Sequence, residues 1–152
     1  MQTMKSLNAV LLVALLGVSL SACDFFEQRD RSYQGPPQLE FAPLTETVNE
    51  GDGTITTNVQ LIGPQRDAAL PVSYVVDDSS TAVEGTHFDL ASASVSIDAG
   101  ESTADVGIDV LDNDVDDGDT NYVLYLSLQA SNGVEPAANL RTFILTIRGT
   151  DE

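Results

Sequence analysis

From position 39 onward, apolar side chains recur at every second residue in short runs, and the runs are separated by polar and turn-forming residues. A period of two puts successive side chains on opposite faces of an extended chain, so each run predicts a strand with one face turned to a core. The runs lie at 39–48, 55–61, 70–76, 92–97, 103–111, 122–128 and 143–147. The clearest is 103–111, where Ala104, Val106, Ile108 and Val110 alternate with Asp105, Gly107 and Asp109, the first set inward and the second outward. Pro43 inside the first run argues for an edge strand or a bulge, because proline cannot donate to a ladder. Gly51 and Gly53, Gly63-Pro64, Ala99-Gly100 and Asn132-Gly133 mark turns, and residues 77–88 and 130–140 form longer connections. No helical period occurs. The fold class that follows is all-β, a seven-stranded antiparallel Greek-key sandwich, with a barrel as the alternative that an odd strand count and long loops disfavour.

The first 22 residues follow a different pattern: a short polar start with Lys5, an apolar run over 9–20, and small residues before Cys23. The run is too short to cross a bilayer, which takes about 20 apolar residues, and it predicts a signal peptide. Leu20-Ser21-Ala22-Cys23 resembles the lipobox of bacterial lipoproteins, which implies cleavage before Cys23 and acylation of its sulfur. Cys23 is the single cysteine of the chain, so no intramolecular disulfide accounts for it. The organisation expected is residues 1–22 as signal, 23–37 as lipidated cysteine and polar tether closed by Gly35-Pro36-Pro37, and 38–152 as the sandwich. The expected location is the bacterial cell envelope, lipid-anchored at the periplasmic face or the cell surface.

Charge narrows the partners. All 24 acidic residues follow Cys23 and Lys5 precedes it, so the mature chain opposes 24 acids to five arginines, a formal −19, with no lysine. Such a surface repels nucleic acid and anionic headgroups, which leaves the lipid anchor as the membrane contact and a protein or glycan of the envelope as the partner. The acids either bind cations or keep the chain soluble in high salt. The densest acidic run, 112–119 (DNDVDDGD), joins the two clearest strands. It offers the hard oxygens that calcium takes, six to eight at a time. It is not an EF-hand loop, since a start at Asp112 puts Asp117 where the turn glycine belongs and Val123 where the bidentate glutamate belongs. A solvated acidic turn, its Asp112 and Asn121 bonded to backbone amides, fits the same residues.

No enzyme is expected. His87 is the sole histidine, no second cysteine accompanies it, and it is read as a loop residue packing near Phe88. Two binding classes stand side by side: a calcium-rigidified adhesion or scaffold module, and a carbohydrate- or peptide-binding surface lipoprotein without metal. The absence of tryptophan and the placement of Tyr74, Tyr122 and Tyr125 inside predicted strands favour the first.

Glu50-Gly51 after the first run, residues 80–88 (STAVEGTHF), Ala99-Gly100, and residues 112–115 (DNDV) leading to Tyr122 together resemble the Calx-beta domain. The resemblance spans 39–152 and implies an immunoglobulin-like sandwich that holds calcium at one end. Carried over residue by residue, it assigns ligands to Glu50, to Asp78 with Asp77 or Ser79 as one-residue alternatives, to Asp112, Asn113 and Asp114, to the Val115 carbonyl and to Asp117. Only Asp151 remains of the acids that the family often has at the end of the last strand, so the resemblance implies a single calcium site.

Overall fold

The computed structural model describes residues 33–112 and 120–149, and among them every regular element is a strand. Ten strands follow in order: β1 (Gln38–Ala42), β2 (Thr45–Asn49), β3 (Gly53–Ile62), β4 (Leu70–Val76), β5 (Phe88–Leu90), β6 (Ser94–Ile97), β7 (Thr103–Val110), β8 (Asn121–Leu128), β9 (Glu135–Pro136) and β10 (Thr142–Arg148). They form two five-stranded sheets, ordered β5-β7-β3-β1-β9 and β2-β10-β8-β4-β6.

The all-β expectation holds, while the count of seven and the purely antiparallel pairing do not. The predicted run 39–48 is two strands in two different sheets: β1 pairs with β3, and β2 pairs with β10. Pro43, which has no N–H to offer a ladder, stands where the chain leaves one sheet, and Ile144 N–H is already bonded to the Leu44 carbonyl as it joins the other. β5 and β9 are three and two residues long, too short to show a period. Two pairings, β1 with β9 and β2 with β10, are parallel.

Inward parity is as the alternation predicts. Val106, Ile108, Leu124, Leu126 and Leu145 have no exposed surface, and Asp105 and Asp109 point away from the core. Asp109 accepts a hydrogen bond from the Thr54 hydroxyl of the neighbouring strand. The two inner faces merge in one core, in which Phe41 of the first sheet meets Phe143 of the second with ring centroids 5.9 Å apart. Thr57 is buried although polar; its hydroxyl is satisfied by the Pro43 carbonyl at 3.3 Å.

Candidate functional site

One end of the sandwich gathers the β2–β3 turn, the end of β7, the start of β8 and the end of β10. The turn closes when Asp52 N–H reaches the Asn49 carbonyl at 3.3 Å and the Asp52 carboxylate accepts from Asn49 N–H at 2.8 Å. It is pinned to its neighbours by Glu50 N–H on the Arg148 carbonyl (2.9 Å) and Gly51 N–H on the Leu111 carbonyl (3.2 Å). Across the same end, Gly149 N–H meets the Thr120 carbonyl at 2.8 Å. Four elements are thus tied by backbone bonds before any acidic side chain is considered.

Gly51 has φ of +72°, where L side chains are strained, and a Cβ there would stand 3.3 Å from the Asp112 Cβ and 3.6 Å from its Oδ2. The Asp112 carboxylate therefore lies against the turn whose preceding residue is Glu50. Glu50 is half-buried and its Oε2 is sealed from solvent. The structure brings these two predicted ligands, from the two ends of different loops, to one corner.

Asp78 follows a residue tied further along β8, in a turn that runs back to the Val123 carbonyl through Thr81 and Ala82 N–H. Asp77 N–H is bonded to the Tyr125 carbonyl, and Tyr125 lies four positions along β8 from Asn121, about 13 Å from that end at strand rise. Asp78 is exposed in the turn that follows. In that turn the Asp77 carboxylate accepts from the Ser79 hydroxyl (2.6 Å) and the Ser79 N–H (2.9 Å), which hold its carboxyl below the usual carboxylate range. Among the described residues, no group of three or more Asp, Glu, His or Cys side chains is placed to hold a metal. Asn113, Asp114, Val115 and Asp117 lie within 113–119, Asp151 within 150–152 and Cys23 within 1–32, all outside the described residues.

The donors present suit a hard cation. Carboxylates of Glu50 and Asp112 and the carbonyls of a tight turn are the oxygens calcium takes.

His87 belongs to this end more closely than its sequence suggested. It is buried, as its loop position next to Phe88 gave no reason to expect. Its Nδ1 accepts Val83 N–H at 2.9 Å, its ring lies 3.8 Å from that of Tyr122 at the start of β8, and its carbonyl accepts Leu111 N–H at 3.0 Å. It contacts both strands that border the acidic run. The only hint in sequence was Tyr122 standing at an inward position of its strand.

The family model of the Calx-beta domain matches residues 34–147. No curated protein sequence matches the chain. Among solved structures, the apo form of the Calx CBD1 domain is similar with a TM-score of 0.65 and 25% identity, over 77% of this chain and 100% of that one. The calcium binding domain CBD12 of CALX1.1 is similar with a TM-score of 0.60 and 25% identity, over 74% of this chain; this chain spans only 44% of that longer one. The Calx CBD2 domain, 13% identical with a TM-score of 0.61 over 75% of this chain and 87% of its own, shares the fold.

Proposed function

The chain belongs to the Calx-beta domain family, and from that premise we propose that it is a lipid-anchored lipoprotein of the bacterial cell envelope whose sandwich binds calcium at the β2–β3 corner and serves as an adhesion or scaffold module. The observation that carries the reading is the seating of Asp112 on Gly51, next to a glutamate with one carboxylate oxygen sealed from solvent. Glu50, Asp112, Asn113, Asp114 and Asp117 are the proposed ligands, and Asp78 is the proposed ligand whose turn is tied furthest along β8. Calcium would supply positive charge where acids from separate loops otherwise oppose one another. The chain's own residues do the rest: the Glu50 and Gly51 backbone bonds fix the turn, and the Leu111 bonds fix the end of β7, so that the corner is assembled by the fold. The proposed role is binding, not catalysis: the single imidazole is committed through Nδ1 to the Val83 amide.

The test is a thermal midpoint in calcium, magnesium and sodium chloride at matched ionic strength. Extracellular calcium modules bind at about 10⁻⁴–10⁻³ M, so millimolar titration is needed. At ten times the dissociation constant, linkage gives about 1.4 kcal/mol, or about 5 °C for a domain of this size. Calcium is expected to raise the midpoint above the other two salts, and Glu50→Gln and Asp114→Asn each to remove the difference. An equal rise in all three would reduce the effect to screening of the −19 charge. If both variants keep the full calcium response, the domain binds the ion with other ligands.

The anchor has its own measurement. Intact mass of the membrane-extracted protein is expected to show an N-terminal Cys23 carrying acyl chains, and Cys23→Ser to leave the membrane fraction. Two or more chains are needed for stable anchoring, since one gives only marginal binding. Recovery of the wild type as a free-thiol protein in the soluble fraction would refute it.

A further inference from the structure

β4 changes neighbours along its length: Leu70 to Ser73 pair with β6, and Tyr74 to Val76 pair with β8. In an antiparallel ladder the peptide groups of successive residues turn to alternate sides. The Ser73 carbonyl accepts Gln129 N–H, and Asp77 N–H reaches the Tyr125 carbonyl, so residues 73, 75 and 77 turn their peptide groups towards β8. Tyr74 and Val76 therefore turn theirs the other way, and Tyr74 N–H meets the Ala93 carbonyl there at 3.2 Å. That rung is the last, because the residues before Ala93 lead back to β5 of the other sheet. The N–H and C=O of Val76 point past the end of β6, where β4 has no strand beside it among the described residues.

A groove of about 330 Å³ lies at this point. Val75, Val76, Leu90 and Ala93 give it apolar walls. The Tyr74 hydroxyl, bonded to the Ser92 carbonyl at 2.8 Å, fixes the crossing from β5 to β6 along its border. One carboxylate, that of exposed Glu84, and no basic side chain lines it.

We propose that this groove takes an extended cationic segment of a partner protein, added to the sheet as a strand beside Val76. The backbone selects a polypeptide: the open N–H and C=O of an edge are a template for another chain, which returns an acceptor and a donor at the strand spacing of about 4.8 Å. The apolar walls receive alternate side chains of that segment, the source of specificity in strand addition. Charge selects the sign. Glu84 in the lining and the formal −19 of the chain repel an acidic segment or a second copy and attract lysine and arginine. Val76 stands opposite Leu126, one residue beyond Tyr125 on β8, so the groove is separate from the calcium corner and is tested without calcium.

The experiment uses the full chain in detergent micelles and, as probe, a short peptide of alternating lysine and valine. Its glutamate–valine counterpart and a fully N-methylated copy are the controls. At ten times the dissociation constant of the probe, exchange of the Val76 amide is expected to slow about tenfold, in proportion to the unbound fraction. The two controls at the same concentration are expected to leave it unchanged. Val76→Pro removes the N–H from the open side without touching the bonds to β8 and is expected to abolish binding. Should that variant misfold, Glu84→Lys, at an exposed position, is expected to weaken binding several-fold with the fold intact. The proposal is overturned if the N-methylated peptide binds as tightly, since charge alone then makes the contact, or if the glutamate–valine peptide does. It is overturned equally if the Val76 amide exchanges no slower with the probe bound, or is already protected in the free chain by a segment of the chain itself.

Discussion

Phe143→Ala is expected to destabilise the domain by about 3–5 kcal/mol, the range for buried phenylalanines truncated to alanine. Phe143 has no exposed surface, and its ring meets Phe41 across the two sheets, so truncation empties space that neither layer can close without moving relative to the other. Its strand, β10, is hydrogen-bonded on both sides, which limits that movement. Against a typical total of about 5–15 kcal/mol, the loss is about a fifth or more of the stability. Urea unfolding measures it. A loss below about 1 kcal/mol, the size expected at a surface position, would show that the side chain is not interior.

Phe88→Ala is expected to cost about 3–5 kcal/mol by the same physics, with a different local consequence. Phe88 is fully buried in β5, the three-residue strand that holds the 77–88 connection against β7. The residue before it, His87, accepts from Val83 and Leu111 and packs on Tyr122. Losing the Phe88 anchor loosens these contacts, so the amides of Val83 and Leu111 are expected to exchange hydrogen faster than in Phe143→Ala at equal global stability. Equal protection of those two amides in both variants would mean that β5 does not hold the loop.

Strands β3, β4, β7, β8 and β10 were legible to within one or two residues because each buries one face, and burial writes a period of two into the sequence. Strands β5 and β9 were not, since a run of two or three residues has no period to read. The split at Pro43 was visible as a break in the ladder, but the sheet that β2 then joins depends on a partner about 100 positions downstream, which local pattern does not encode. The parallel pairing of β2 with β10 was hidden for the same reason. Position by position, Asp105 and Asp109 could be placed outward.

At the corner, likeness to a family points to Glu50 and Asp112, and the physical reason Asp112 can lie against the Glu50–Gly51 turn is Gly51, which leaves room for its side chain. Asp78 was nominated with a one-residue uncertainty, and the hydrogen bonds of Asp77 to Ser79 and Tyr125 explain why its turn is tied beside the middle of β8. His87 carried no signal of its contacts, because they reach residues 24 and 35 positions away, through its carbonyl and its ring.

The parallel pairing of β2 with β10 also bears on how the domain answers force. β2 follows the N-terminal side of the domain and β10 runs to its C-terminal side, and five residues of each stand in register, from Thr45 opposite Ile144 to Asn49 opposite Arg148. Tension applied between Tyr33 and Gly149 pulls the two strands in opposite directions along their length. Their hydrogen bonds are then sheared together, and a joint that must break all at once resists a pull better than one that peels open bond by bond.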